Sequence, residues 1–168
     1  FVEGGWSVKK LIRSLMLTRT YQMDSKVNPA YADSDPQNLW WHRMPIRRLE
    51  GEAIRDAMLT VSGRLDRTLH GAPVPVYLTS FMQGRGRPRT GPLDGNGRRS
   101  IYTSVNRNFL PPMMLAFDTP ISFTSIGRRT KSNVPAHALI LMNDPFVVQQ
   151  AESWAKRTLA ANCHLYTP

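Results

Sequence analysis

Glu52 and Asp56 stand four residues apart, a spacing that on a helix places two carboxylates on one face. Such a pair can ligate a metal or divide general-acid and general-base roles. Arg48 and Arg55 fall on the same turns, so a helix ion-pair network accounts for the acids as well. No histidine joins them at the helical spacing a metal set would need. His42, His70, His137 and His164 are scattered, none beside a carboxylate at a recognisable spacing, and no serine sits in GxSxG. Gly84-Arg85-Gly86 lacks the third glycine and the strand–helix context of a phosphate loop. Cys163 is the only cysteine, so there is no internal disulfide, no paired zinc spacing and no haem-attachment motif. The residues assign no catalytic group, cofactor or metal, and the reading leans away from an enzyme. A site assembled from distant positions, with His42, Glu52, Asp56 and His137 meeting in one pocket, stays open.

The arginines are the other chemical resource. Arg85-Gly86-Arg87-Pro88 spells the core of an AT-hook, whose arginines enter the narrow minor groove of AT-rich DNA. More generally, Arg85, Arg87, Arg89, Arg98, Arg99, Arg128 and Arg129 could converge on phosphate, sulfate or carboxylate through bidentate forks. Solvated loops are the plainer alternative. Net charge is +10, and residues 84–131 hold nine Lys/Arg against two acids, whereas residues 132–168 are balanced. The excess therefore lies in a loop-rich region, which suits a loop-borne anion site better than a helix tracking a groove. One tetrapeptide in a chain rich in Arg, Gly and Pro is weak evidence for DNA as the partner.

These residues must be positioned by one domain's worth of chain, 168 residues with 41% hydrophobic content and 13 prolines. No apolar run approaches the roughly 20 residues of a membrane span. The chain begins at Phe1 without a methionine and reads as a fragment of a longer polypeptide. Ser7 can cap a first helix with the stripe Val8, Leu11, Ile12, Leu15, fading near Thr20 or Tyr21. Asn28-Pro29 and Asp33 to Pro36 read as turns, and Leu39-Trp40-Trp41 as an aromatic anchor packed on the first helix. The clearest helix runs from Pro45 to about Arg67, apolar on both sides, so its charges need partners. Arg47 to Glu50 and Arg48 to Glu52 are available at helical spacing. Val74, Val76 and Leu78 make an edge strand at best, and residues 100–106 a short strand. Pro111-Pro112 opens a short helical turn. Asn133 caps a helix to Met142, and Asp144-Pro145 begins a last one to about Ala161. The expected fold is mainly α: a single domain over residues 1–168 of about four to five helices, long irregular loops and a minor β element. Residues 71–133 form a basic, loop-rich insertion within it.

The run Arg47-Arg48-Leu49-Glu50-Gly51-Glu52-Ala53-Ile54-Arg55-Asp56-Ala57, followed by Val61-Ser62-Gly63-Arg64-Leu65-Asp66, resembles a family of unknown function, planctomycete secreted domain one (domain of unknown function 1553). Further pieces follow in the expected order. They are Gly5-Trp6-Ser7-Val8-Lys9-Lys10-Leu11, Asp35-Pro36-Gln37-Asn38, Gly71-Ala72-Pro73, Arg98-Arg99-Ser100-Ile101-Tyr102, Phe117-Asp118-Thr119-Pro120, and Pro135 through Asn143-Asp144-Pro145. The resemblance implies the C-terminal part of a large exported protein, extracytoplasmic, whose parent polypeptide can carry a c-type haem and redox or polysaccharide-related work. It implies no activity for this region. The family pattern has His where Ile12 stands, Cys near Ser125 and Gln where His137 stands, which speaks against a site built on that His and Cys here.

The leading expectation is a helical accessory or structural module of a larger exported protein. Arg47, Glu50, Glu52, Arg55 and Asp56 would form a structural charge cluster, with Glu50, Arg55 and Asp56 buried and Arg98 and Arg99 tying the strand to the helices. The alternative is binding of a sulfated or acidic polysaccharide through the arginine-rich loops, with an enzyme of unrecognised site as a third class. Partners are other domains of the parent polypeptide and, on the alternative, acidic polysaccharide.

Overall fold

The computed structural model describes residues 1–123 and 125–162 and is mainly helical. It divides into two compact units, Phe1–Arg48 and Leu49–Pro168. Cys163 and His164 lie outside the described residues.

The first unit holds α1 (Val8–Met16) and the one-turn α2 (Pro29–Ala32). Ser7 caps α1 as expected, its hydroxyl accepting the Lys10 N–H, but the helix ends at Met16 rather than near Thr20. Asn28 caps α2, so the first expected turn is a short helix entered by Pro29. Beyond it the buried Asp35 carboxylate accepts the N–H groups of Leu39 (2.7 Å) and Trp40 (2.9 Å). Burial alone would raise that carboxyl; the two backbone donors, with His42 and Arg43 nearby, carry it below its ordinary value. The resulting tight turn holds Asn38 and Trp41 at positive φ (58° and 55°). It also turns Leu39, Trp40 and Trp41 outward, 71%, 76% and 49% exposed, so they do not pack on α1 as expected.

In the second unit, α3 (Gly51–Val61) packs on α4 (Pro112–Ala116), on α6 (Pro145–Asn162) and on a 3-10 turn at Ser100–Tyr102, while α5 (Ala136–Asn143) contacts α4 and α6. Helix α3 is shorter at both ends than the sequence suggests. The chain stays extended through Glu50 (ψ 153°), and Gly63 at φ +78° closes the helix after Ser62. Residues 47–50 are therefore not helical, and the helical spacing expected for Arg47–Glu50 and Arg48–Glu52 does not apply. The buried face of α3 runs through Gly51, Arg55 and Leu59, and Val61 is exposed. Leu59 joins Met113, Phe117 and Phe146 in the main core, with Ile54, Met58, Leu65, Leu93, Ile140 and Val147 around it. A second cluster of Val76, Leu78 and Phe109 sits under the long connections.

No sheet forms among the described residues. Residues 100–106 are not a strand: Ser100–Tyr102 closes a 3-10 turn, where Asp56 captures the Ser100 N–H, and isolated bridges join Thr103 to Val74 and Asn106 to Phe109. Helix α5 starts at Ala136 rather than after Asn133. Pro135 already has helical φ and ψ, and the His137 ring accepts the Val134 N–H. Asp144 caps α6 as expected, accepting from Phe146 N–H at 2.9 Å.

The basic connection is tied to the helices at Gly97, where Asp66 N–H donates to the Gly97 carbonyl at 2.8 Å. Gly97 has φ +71°, and a Cβ there would run into the Arg64 carbonyl. Gly97→Ala is expected to lower unfolding stability by at least about 2 kcal/mol, the left-handed penalty plus backbone displacement, read by urea denaturation.

Candidate functional site

The site is built around Arg55, whose side chain enters the second unit from the buried face of α3. Its Nη1 donates to the Arg98 carbonyl (2.9 Å) and the Ser100 hydroxyl (3.2 Å), and Nη2 donates to the Asp94 carbonyl (2.8 Å). The guanidinium lies 5.4 Å from the Phe146 ring centroid. Burial pushes the Arg55 guanidinium below its ordinary value, while Asp56 and Asp94 pull it back, and arginine remains charged throughout. One buried cation thus gathers a helix, a turn and a loop.

Two carboxylates complete the hub. Asp56 Oδ1 accepts both the N–H and the hydroxyl of Ser100 at 2.7 Å and lies 3.7 Å from Arg55. Asp94 Oδ2 accepts from Arg64 Nε (3.1 Å) and Nη2 (2.6 Å), and its Oδ1 accepts Asn96 N–H, shaping the Gly95–Gly97 turn. Arg64 and Ser100 stand in the family-like motifs with nothing local to mark their roles, and Asp94 lies outside those motifs. Asp94-Gly95-Asn96-Gly97 is a turn signature, but its partner Arg55 lies 39 residues away in the chain.

A second tie lies at the start of α3. Arg129 grips Glu52 through two bonds (Nη1 to Oε2 2.8 Å, Nη2 to Oε1 2.9 Å) and reaches Glu50 at 3.1 Å. The same segment is held again by Asp118, which accepts from Ser132 N–H at 2.7 Å and from its hydroxyl at 2.9 Å. Of the three residues expected to be buried only Arg55 is: Glu50 is exposed and Asp56 partly exposed, and Arg47 is an exposed residue of the first unit. The charge cluster is therefore two separate arrangements, Arg55–Asp56 and Glu50–Glu52–Arg129.

Beside the hub opens a cleft of about 120 Å³, walled by Val76, Leu110, Met113, Met114 and Phe146 and ringed by prolines, with Glu52, Arg55 and Ser100 among its polar groups. Asp56 and His137 do not line it. His137 is buried in α5, stacked on Phe117 at 4.8 Å, with Nε2 donating to the Ala116 carbonyl at 2.8 Å. His42 belongs to the first unit, bonded through Nε2 to the Asp35 carbonyl. Among the described residues no cluster of His, Cys, Asp or Glu could hold a metal.

The seven arginines do not form one set. Arg98 lies over the Tyr102 ring (4.1 Å) and donates to the His70 carbonyl (2.6 Å), near Asp66. Arg99 sits 3.9 Å from Asp56. Arg87 donates to the Met82 carbonyl at 2.9 Å. Arg85, Arg89 and Arg128 are exposed, without a bonded partner among the described residues.

The bidentate bonds of Arg129 are the main cause of a lowered Glu52 carboxyl and, with Glu50, of a raised Arg129. The Glu52 contribution is therefore full above the ordinary glutamate value of 4.5 and is lost as pH falls through the lowered one. Both groups are about a third exposed, which holds the pair to about 1 kcal/mol. Glu52→Gln is expected to cost that amount near neutral pH. The difference from the parent chain should vanish in strong acid, as measured by urea melts across pH.

The match to known proteins follows the motifs quoted above. The model of PSD1, a protein of unknown function (DUF1553), matches residues 1–165. No curated protein and no solved structure matches the chain. With nearly its whole length covered, the chain belongs to the PSD1 family of proteins of unknown function (DUF1553).

Proposed function

We propose that this chain is a non-catalytic accessory module of a larger exported polypeptide, with the Arg55 hub holding a rigid helical platform. The observation that carries this reading is that Arg55, Asp56 and Asp94 are each bonded to backbone or structural partners from distant segments. Charges arranged for chemistry are commonly held at a cost in stability, so their removal stabilises; charges that build the fold do the opposite. Arg55→Met and Asp56→Ala are each expected to lower stability by about 2–4 kcal/mol, because each leaves buried polar groups unpaired. Asp94→Ala, whose partners Arg64 and Asn96 are exposed or half exposed, should cost about 1 kcal/mol. An unchanged or raised melting temperature would remove the structural reading.

A second reading rests on Arg85, Arg89 and Arg128, which are exposed; Arg87 and Arg99 are exposed too, but each reaches an internal oxygen, and Arg98 and Arg129 are bonded within the fold. They suit a sulfated or acidic polysaccharide. The chain should then elute from heparin above physiological salt, and the triple Arg→Gln variant well below it. Elution of the parent chain below physiological salt would count against this reading, and a preference for AT-rich duplex would point to DNA instead.

A further inference from the structure

Helix α1 segregates its side chains completely. At about 100° per residue, Leu11, Leu15, Val8, Ile12 and Met16 follow one another around an arc of roughly 140°, and Lys9, Arg13, Lys10 and Ser14 fill the remainder. None of its residues is buried. Among the described residues, the first unit contains no buried hydrophobic side chain at all. The apolar stripe is therefore not a core face within the first unit.

The charges decide what covers it. Every ionisable residue of α1 is a cation: Lys9, Lys10 and Arg13. Lys9, with Arg13 behind it, borders one edge of the apolar arc and Ser14 the other; the long stem of Lys9 can run along the arc with its charged end outside. Exposed aromatic residues mark both ends, Trp6 just before the helix, its ring edge-on to Phe1 at 5.4 Å, and Tyr21 beyond it. A second copy laid face to face would bring like charges together along the seam. A layer with an apolar interior, an anionic surface and an interfacial zone for indole and phenol rings satisfies all three features. No helix among the described residues is long and apolar enough to cross a membrane, so the contact is superficial.

We propose that α1 is a membrane-surface anchor that lies in the interface of anionic lipid, its Val8–Leu11–Ile12–Leu15 stripe in the acyl boundary and Lys9, Lys10 and Arg13 among the headgroups. A helix of this length gives weak, reversible association that strengthens with anionic lipid content and weakens with salt.

The test uses the whole 168-residue chain with vesicles of phosphatidylcholine alone and of phosphatidylcholine with about one-third phosphatidylglycerol. Sedimentation with the anionic vesicles only, with a blue shift of tryptophan fluorescence, is expected. Ile12→Glu with Leu15→Glu should lower the partition coefficient at least about tenfold, since both side chains would otherwise leave water. Circular dichroism checks that this variant keeps its helix content, and Leu139→Glu, on the exposed surface of α5, should bind like the parent chain. Arg85→Gln, Arg89→Gln and Arg128→Gln together should leave at least half of the binding. Equal binding to both vesicles, binding to neither, or binding that survives the α1 variant but not the loop variant would overturn the proposal.

Discussion

A single buried guanidinium sets the terms for the second unit. Arg55 cannot shed its charge, and at 8% exposure it cannot rely on water, so the surrounding chain must supply acceptors. It does so from one short stretch that lies 39 to 45 residues further along the chain: the carbonyls of Asp94 and Arg98 and the hydroxyl of Ser100. Asp56 and Arg64 then fix those acceptors in turn. The irregular connection between Leu65 and Pro111 thereby gains a defined path without a sheet to organise it. A hydrophobic residue at position 55 would leave the Asp94 and Arg98 carbonyls unpaired, with the Asp56–Ser100 bonds as the remaining tie of that turn to α3.

The two units balance burial differently. The second gathers Leu59, Met113, Phe117 and Phe146 into a core and adds the polar hub beside it. The first has its one buried group in Asp35, a carboxylate satisfied by backbone donors. Ordering each residue costs about 1–2 kcal/mol of conformational entropy, which local hydrogen bonds alone do not offset. Apolar faces such as that of α1 are the part of the first unit with favourable free energy still to gain by contact.

Much of the helical layout was legible because its signals are local. Ser7 and Asp144 cap helices by bonding to residues two or three positions ahead, and Pro112 opens α4 by its own geometry. Boundaries set by distant partners were not legible. The β-branched and aromatic residues after Ser100 read as a strand, but Asp56, 44 residues away, captures the Ser100 backbone. The tryptophans read as core because of their size, while the Asp35 carboxylate turns them outward.

The amino-acid sequence by itself determined the mainly helical class, the family, the central excess of arginine and the amphipathic pattern of α1, all properties of residue type and near-neighbour spacing. Only the tertiary structure decided what the charges do. It separated the expected cluster into the Arg55–Asp56 hub and the Glu50–Glu52–Arg129 tie, and gave four of the seven arginines an internal partner. The reason is physical: an arginine reads the same in sequence whether it meets a carbonyl, a ring or water. Which it meets depends on segments brought together from tens of residues apart.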